Sequence, residues 1–327
     1  MAIPADGSNG LSLYGIKTEL VNNAYVAVVP EEYNTEISMR QLALNNDINQ
    51  NSASKPSTNS WNGSGEYQDG GEISMGDFFG YDHDAVASFS DSKSFDFDGT
   101  NDRLEGPGGL AQQFIGGATT AGAGSISVWV KLDSMSGNGF IFQLSPEDGT
   151  TNLVLLLWNN AAGRIRGNVK VSNVTNVVNS QAGLENDGNW HHVAFTWEYG
   201  SKTSSNNETK LYIDASLKDT DAIGNTWNDG NGPAIVGFGR NHPPGNTNPF
   251  NGHMNDIALF DDVLSASEIS TIYNSGAPKD EASHSGLIAY YKMEGYSDND
   301  TSLTDDSSNS YNLTITNSTN IDSTDTP

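Results

Sequence analysis

The sequence contains no cysteine, so disulfide bonds and thiolate metal sites are excluded, and stability must come from packing and hydrogen bonds. Basic residues are few: 15 Lys and Arg stand against 41 Asp and Glu, which gives a formal net charge of −26 at pH 7. A charge of this sign repels phosphate backbones and anionic lipid surfaces. We therefore expect no nucleic-acid partner.

Long apolar runs are also missing. No stretch of about 18 apolar residues occurs, and the start MAIPADGSNG has no basic stretch followed by an apolar core. From these absences we expect no membrane span and no signal peptide. We therefore expect the chain to be made in a cytosol. What is present is a chain of 327 residues of which 35% are hydrophobic, enough to bury a sizeable core.

The first 86 residues are predicted to form a small mixed segment that ends in a linker. Residues 45–72 are almost wholly polar and rich in Ser, Asn and Gly, which is a linker composition. A pattern of apolar, Ser, apolar, two others and apolar occurs three times within the first 80 residues. The serines, suited to cap short helical turns with one apolar face, are Ser12, Ser38 and Ser74. Such short turns bury little surface alone, so we expect them to pack on a partner. The alternative is that the three similar turns are a coincidence and not a repeat.

From residue 90 onward the sequence changes to short runs of alternating apolar and polar residues, broken by Gly, Asn and Asp. This texture predicts an antiparallel β-sandwich. In SISVWVKL, for example, alternate apolar residues share one strand face and Trp129 lies on the other. The residues predicted to face the core in this way are Phe95, Phe97, Ile126, Val128, Val130, Val193, Phe195, Trp197, Leu211, Ile213, Ile257 and Leu259.

Two further patterns complete the predicted elements. The runs FIFQL and NLVLLLW, between residues 140 and 158, are continuously apolar and predict central strands covered on both faces. One clear helix is predicted over residues 265–276, where Ser265 and Glu268 form a capping box and Gly276 can end the helix. We expect this helix to close one end of the sandwich.

The order of these pieces resembles the laminin-G-like, concanavalin A-like jelly roll. The phrases that carry the resemblance are SFDFDGTNDRLE, SISVWVKLDS, NWHHVAFTWEYG, TKLYIDASL, PAIVGFGRN and FNGHMNDIALFDDVLSASEISTIYNSG, and they cover residues 91–276. The resemblance implies an all-β fold, an antiparallel β-sandwich over residues 87–327. GLIAYYKMEGYSDND is similar to the strands that usually open such domains, so the jelly roll is expected to be circularly permuted. Exchange of these strands with a neighbouring subunit is the alternative.

The opening MAIPADGSNGLSLYGIKTEL and the later GGEISMGDFFGY resemble the N-terminal segments of tailed-phage virion proteins. This resemblance implies a virion structural protein, a capsid- or tail-associated fibre or decoration, assembled in the host cytoplasm. The partners it implies are other virion proteins through residues 1–85, host surface glycans through the jelly roll, and further copies of the chain in a trimer. A secreted or surface glycan-binding adhesin is the alternative function, and a glycoside hydrolase is a third.

No catalytic residues are predicted. A retaining glycosidase needs two carboxylates about 5 Å apart, and the Glu-x-Asp-x-Glu spacing that supplies them in this fold does not occur. The Gly-x-Ser-x-Gly motif of serine hydrolases is also missing. The adjacent His191 and His192 point to opposite faces of a strand, so they cannot share one metal ion. We therefore expect a non-enzymatic module.

The jelly-roll resemblance also implies a structural calcium ion, bound by the carboxylates of Asp256 and Glu294 and by the carbonyl oxygen of Gly295. Oxygen ligands from strands that are distant in sequence would join two ends of the domain. The alternative is that Asp256 bonds a neighbouring backbone amide. A second, lower-ranked acidic group suits an ordinary turn as well as a cation, and consists of Asp96, Asp98 and Asp102.

Two loops are predicted to bind glycans, because sugars dock on exposed aromatic faces flanked by amides and carboxylates. The first, GNTWNDGNGP, offers Trp227, Asn228 and Asp229. The second, RNHPPGNTNPFN, offers Arg240, His242 and Phe250. The alternative is that each loop is a rigid turn whose aromatic side chain is tucked into the edge of the sandwich.

Overall fold

The computed structural model describes residue 89 and residues 91–327. Within that range the segments 115–120, 134–136, 146–152, 184–186, 203–205, 225–233, 240–246, 295 and 318–321 are outside the description. The chain divides into two units between Phe89 and Ser90, and all but one of the described residues belong to the second unit. The predicted N-terminal segment, with its three serine-capped turns, lies outside the described residues, so its boundary at residue 86 stays a prediction.

Sixteen strands, numbered in chain order, form two antiparallel sheets in the described part of the chain. The first sheet contains β1 (Ser94–Asp98), β3 (Gly122–Leu132), β8 (Trp190–Tyr199), β9 (Glu208–Ile213), β10 (Ser216–Ala222), β12 (Asn251–Phe260), β13 (Leu287–Tyr291) and β16 (Asp322–Ser323). The second sheet contains β2 (Arg103–Glu105), β4 (Gly139–Ser145), β5 (Leu153–Asn159), β6 (Arg164–Val171), β7 (Val174–Asn179), β11 (Ile235–Phe238), β14 (Ser302–Leu303) and β15 (Leu313–Thr316).

Half of the strand pairs in the two sheets join strands that are not consecutive in the chain. The first sheet has the order β10-β9-β8-β3-β12-β1-β16, with β13 also paired to β12. The second has the order β14-β15-β2-β11-β4-β5-β6-β7. Strands that follow each other in the chain therefore often lie in different sheets, as β1 and β2 do. The prediction of an antiparallel β-sandwich is confirmed.

The core lies between the two sheets and is built from alternate residues of each strand. All of the residues predicted to face inward, from Phe95 to Leu259, are buried in one continuous cluster. Trp197 lies near its centre, with its ring 5.4 Å from that of Phe114 and 5.9 Å from that of Phe142. Gly124 leaves room for this indole, since a Cβ there would lie 2.6 Å from Trp197. The alternation of apolar and polar residues in the sequence thus correctly predicted which face of these strands is buried in the core.

Strands β4 and β5 are covered on both faces, as their continuous apolar runs predict. Phe142 and Leu144 face the core between the sheets. Phe140, Leu155 and Leu157 form a separate buried cluster on the opposite face. The second sheet therefore carries an apolar strip on its outward side.

The strands after residue 286 enter both sheets of the same chain. Strand β13 pairs with β12 and β16 pairs with β1 in the first sheet. Strand β15 pairs with β2 in the second sheet. The C-terminal strands thus complete the sandwich of their own chain, in the order that the permuted arrangement predicts, and no exchange with a neighbour is needed.

The described residues contain two helices, α1 (Gly108–Ala111), continued by a 3-10 turn, and α2 (Ala266–Tyr273). The capping box at Ser265 and Glu268 is confirmed. The helix ends earlier than predicted, because Asn274 adopts the left-handed conformation, with φ 46°, before Gly276 is reached. In the described part of the chain, neither helix has the length and apolar character needed to cross a bilayer.

The sequence led us to expect that helix α2 would close one end of the sandwich, but it lies elsewhere. The ring of Tyr273 stacks 5.8 Å from that of Trp129, and it lies 5.8 Å from that of His192. Both partners are on the outward face of the first sheet, opposite the core residues of β3 and β8. The apolar stripe correctly predicted a buried helix face, but it does not specify which surface that face covers.

Edge strands of the two sheets are joined by side-chain hydrogen bonds. The backbone amide of Val177 in β7 donates to the Asp221 carboxylate in β10 at 3.2 Å. The amide of Asn179 donates to the carboxylate of Asp219 at 3.1 Å. Acidic side chains of one sheet thus occupy backbone donors at the edge of the other.

Candidate ligand-binding and metal sites

The glycan-binding residues predicted from the two loops lie outside the described residues. This holds for Trp227, Asn228, Asp229, Arg240 and His242, which stay predictions.

Phe250, the aromatic residue of the second loop, is described and does not serve as a sugar platform. Its side chain is buried and meets the ring of Phe97 edge-on, at 5.7 Å between ring centres. The alternative of an aromatic tucked into the sandwich is therefore correct for this residue.

The outward face of the second sheet carries a row of residues that sequence analysis did not single out. Gly237 of β11 is paired on one side with Glu105 of β2 and on the other with Gln143 of β4. Gln143 is opposite Leu155 of β5, and Leu155 is opposite Asn168 of β6. These five residues, which we call the outward row, therefore cross five adjacent strands in register.

The outward row combines polar groups with an apolar strip. Gln143 donates from Nε2 to the Ser145 hydroxyl at 2.9 Å, and the Oδ1 atom of Asn168 is buried with no hydrogen-bond partner among the described residues. Gly237 is itself buried and places no side chain in the row; the nearest atom to a Cβ there would be the Leu104 carbonyl oxygen, 3.7 Å away.

Charged groups border the outward row on both sides. Arg103 lies beside Glu105, with 3.3 Å between guanidinium and carboxylate, and Arg166 of β6 donates to Asn179 at 3.1 Å. Amide, carboxylate and guanidinium groups beside apolar side chains can bind both the hydroxyls and the apolar faces of a sugar. The alternation Arg-Ile-Arg-Gly-Asn-Val-Lys-Val in β6 was the available signal, but it also describes an ordinary solvated strand.

Asp256, predicted as a calcium ligand, is a buried residue at an irregularity in β12. The pairing of β12 with β3 shifts register between Asn255 and Ala258, and Asp256 has a φ of 51°, in the left-handed region. Its carboxylate accepts a hydrogen bond from the Tyr290 hydroxyl, which also lies 3.0 Å from the carbonyl oxygen of Lys279. The irregular backbone thus directs a carboxylate into a group of oxygen atoms.

The electrostatics of this position disfavour an uncompensated carboxylate. Burial raises the pKa of Asp256 well above its usual value; the Tyr290 hydrogen bond lowers it, and the nearby negative charges of Glu281, Asp91 and Asp280 raise it again. A buried carboxylate that faces other carboxylates is costly unless a positive charge compensates it. Hard oxygen donors of this kind fit calcium chemistry.

Glu294, also predicted as a calcium ligand, accepts hydrogen bonds from the chain before β1, and its role as a ligand stays a prediction. Its carboxylate accepts hydrogen bonds from the backbone amide of Ser92 at 2.5 Å, from the Ser92 hydroxyl at 2.8 Å and from the amide of Lys93 at 3.2 Å. Glu294 therefore fixes the chain just before β1, and it is not among the carboxylates whose charges most affect Asp256. Gly295, the third predicted ligand, lies outside the described residues.

The second predicted acidic group does not come together as one site: Asp98 and Asp102 lie at the end of β1 and in the connection after it, and Asp96 lies on the outward face of β1. Asp98 accepts from the amide of Thr100 at 2.7 Å, and Asp102 accepts from the amide of Asp98 at 2.9 Å. These bonds shape the connection from β1 to β2, which passes between sheets and is not a hairpin. Burial raises the pKa of Asp102 to about 6. Asp96 instead points outward from β1.

The two adjacent histidines have different surroundings, as predicted. His191 lies 2.8 Å from the Asp214 carboxylate, whose hydrogen bond raises the pKa of the imidazole. His192 is fully buried, with Nε2 2.8 Å from the Ser127 hydroxyl, and burial lowers its pKa to about 4. The two imidazoles therefore cannot bind one metal ion.

Comparison with known families assigns this architecture to a class. Residues 108–270 match the family model Laminin_G_3, described as the concanavalin A-like lectin/glucanases superfamily. Together with the two antiparallel sheets, this match supports a concanavalin A-like jelly-roll domain of the laminin-G type.

The curated relatives are much longer proteins. The mouse and rat proteins "Sushi, von Willebrand factor type A, EGF and pentraxin domain-containing protein 1" are 28% and 27% identical to this chain over 169 residues. The aligned region is 50% of this chain and 4% of each relative. The chain therefore spans a small fraction of the curated relatives that it matches.

Among solved structures, a Bacteroides ovatus protein assigned to carbohydrate binding is 17% identical, with a TM-score of 0.47 over 73% of this chain and 62% of that one. A heptameric pentraxin from Limulus polyphemus is 16% identical, with a TM-score of 0.44 over 72% of this chain and 100% of that one. The CBM40 module of Ruminococcus gnavus IT-sialidase is 18% identical, with a TM-score of 0.41 over 57% and 95% of the two chains.

Proposed function

We propose that the jelly roll is a non-catalytic module that binds glycans on the outward face of its second sheet. The observation that carries the proposal is the outward row, in which Glu105, Gln143 and Asn168 are held in register beside Leu155. Because every strand of the row is paired on both sides, these groups are held in place before a ligand arrives, which lowers the entropy cost of binding.

The chemistry of the row suits a sugar. The Oδ1 atom of Asn168 can accept from a sugar hydroxyl, which would give this buried oxygen a partner that the described residues do not supply. Leu155, at 9% exposure, offers an apolar surface to the C–H face of a pyranose ring. Gly237 places no side chain between Glu105 and Gln143.

The first test is a glycan array followed by calorimetric titration of the best ligand. We expect Asn168→Ala to weaken binding by about tenfold, because one hydrogen bond in a desolvated site contributes about 1–2 kcal/mol. Asn189→Ala is the matched control, since this exposed residue bonds only Asp187 in the described part of the chain. An array on which the wild type binds nothing, or a tight complex that Asn168→Ala leaves unchanged, contradicts the proposal.

We further propose that Asp256 binds calcium, with Tyr290 and the Lys279 carbonyl beside it. The ion would compensate the buried carboxylates and join β12 to the segment before β13. At a calcium concentration 100 times the dissociation constant, the wild type should gain about 2.7 kcal/mol, which raises its melting temperature by about 5–10 °C.

Asp256→Asn separates this role from the alternative of a simple hydrogen bond. The variant should lose the calcium-dependent rise in melting temperature, measured by scanning calorimetry. Without calcium it should be at least as stable as the wild type, because it removes a buried negative charge. Asp98→Asn, in the turn before β2, should keep the calcium response. An Asp256→Asn variant that melts early in both conditions would argue for the hydrogen bond alone.

For the whole chain, we propose that the N-terminal segment attaches the module to a virus particle. The support is the phrase MAIPADGSNGLSLYGIKTEL and the repeated serine pattern of the first 80 residues. Full-length protein should co-sediment with particles, and a chain without residues 1–85 should not. Equal sedimentation of both chains would contradict attachment by this segment; glycan binding without particle binding would favour a surface adhesin.

A further inference from the structure

A cluster on the outward face of the first sheet is separate from both sites described above. It consists of Asp96 in β1, His253 in β12 and Asp133 directly after β3. Strands β3, β12 and β1 are adjacent in the sheet, and Asp96 is paired directly with His253. The neighbours of these residues, Phe95 and Met254, face the core, so the cluster faces outward.

The three side chains bring their ligand atoms close together. One carboxylate oxygen from each aspartate and one imidazole nitrogen all lie within 4.8 Å of one another. Ligand atoms at 2.0–2.1 Å from a tetrahedral zinc ion are about 3.3 Å apart, so small side-chain rotations would complete the geometry. Asp133 is exposed and can make this adjustment, whereas Asp96 and His253 are held by two paired strands.

The ligand atoms are not used elsewhere in the described part of the chain. The Nδ1 atom of His253 is buried and has no hydrogen-bond partner there. Lys131 is opposite His253 in the strand pairing, but it is paired with Asp325, which also accepts from the Trp190 indole at 2.9 Å. An imidazole within reach of two carboxylates, one of whose nitrogens is buried without a partner in the described residues, is therefore a second observation, independent of the acidic charge.

The acidic charges in the cluster outnumber the one group, His253, that compensates them in the electrostatics of Asp96. Burial raises the pKa of Asp96; His253 lowers it, and the charges of Asp133 and Asp98 raise it further. Two carboxylates this close repel each other, and a divalent cation removes the repulsion.

The donor set selects the kind of ion. Calcium and magnesium prefer oxygen ligands alone, whereas an imidazole nitrogen with carboxylates suits first-row transition ions. We propose that Asp96, Asp133 and His253 bind a divalent first-row transition ion, with zinc as the probe, through two carboxylate oxygens and one imidazole nitrogen. Three protein ligands leave one position for water or for a ligand group, and the ion connects β1, β12 and the end of β3.

The test is calorimetric titration of chelator-treated, tag-free full-length protein with zinc. The wild type should bind one equivalent, and His253→Gln should weaken binding at least about 100-fold, since even changes around a metal ligand cost 10–100-fold. Asp133→Asn should weaken it as well. Both variants should melt within about 2 °C of the wild type in chelator, because the only packing partner of His253 among the described residues is the ring of Trp190, 6.0 Å away, and Asp133 is exposed.

Two matched controls make the result decisive. His191→Gln should keep the zinc site, because His191 is already bonded to Asp214 and Asp187. Asp256→Asn should also keep it, so that failure of the calcium proposal and failure of the zinc proposal are distinguishable. Cobalt in place of zinc should give visible absorption bands in the wild type that disappear in His253→Gln. Zinc binding that His253→Gln leaves unchanged, or no binding by the wild type, would overturn the proposal.

Discussion

Replacing Trp197 with alanine should lower the free energy of unfolding by about 3–5 kcal/mol, the range for removal of a large aromatic side chain from a core. Trp197 is fully buried and its ring lies between 5.4 and 5.9 Å from those of Phe114, Phe195 and Phe142. Gly124 faces it with no side chain that could fill the space. The cavity should therefore stay largely unfilled.

Chemical denaturation measures this loss, and two variants calibrate it. Trp190→Ala should cost no more than about 1.5 kcal/mol, because that indole is half-buried and contributes chiefly one hydrogen bond to Asp325. Trp197→Phe should cost clearly less than Trp197→Ala. Its indole N–H is buried with no partner in the described residues, so that only volume is lost. Similar losses for Trp197→Ala and Trp190→Ala would contradict the central position of Trp197 in the core.

Acidification should reveal the buried His192. Burial lowers the pKa of His192 to about 4, against 6.5 for an exposed histidine. The stability that comes from keeping it neutral is fully present above pH 6.5 and is lost as the pH falls towards 4, since only the unfolded chain takes up the proton. The full effect of this shift is about 3 kcal/mol, of which about 2 kcal/mol should be lost by pH 5.

The effect of His192 must be measured as a difference between variants and the wild type, because Asp102 changes the free energy of unfolding in the opposite direction as the pH falls. Its raised pKa makes the folded state bind a proton more tightly than the unfolded state, which stabilises the fold on acidification. His192→Gln stays neutral at every pH, so its stability deficit relative to the wild type should shrink by about 2 kcal/mol between pH 7 and pH 5. A deficit that does not change with pH would contradict the buried, neutral state of His192.

His191→Gln should show the reverse trend. The hydrogen bond with Asp214 raises the pKa of His191, so its stabilisation is present at pH values below 6.5 and is lost as the pH rises through the pKa of the folded protein. The deficit of this variant should therefore grow on acidification. The two adjacent histidines thus make a matched pair, measurable in the same denaturation series.

The core could be predicted from the sequence because alternation is a local property. Within the single strand β3, the alternation places Ile126, Val128 and Val130 on the core face and Trp129 on the outward face. The permuted order was also readable, since the phrase around Tyr290 lies after the helix. These features depend only on residues that are close in sequence.

The sites depend on contacts that no local pattern contains. Tyr290 meets Asp256 across 34 positions, and the left-handed backbone of Asp256 directs its side chain away from the regular pleat. Asp96, Asp133 and His253 meet only because β1 and β3 both pair with β12. The outward row likewise requires the order of five strands, and its members look like solvated positions when each strand is considered alone.

The carboxylates of Asp219 and Asp221 have a consequence for the behaviour of the protein at high concentration. An unpaired strand edge is a template on which another molecule can add a strand, and that addition begins fibrous aggregates. In β7 the amides of Val177 and Asn179, which such a strand would need, already donate to these acidic groups. An incoming strand would have to displace an anion at each of these amides, so this edge of the sandwich resists growth into fibrils.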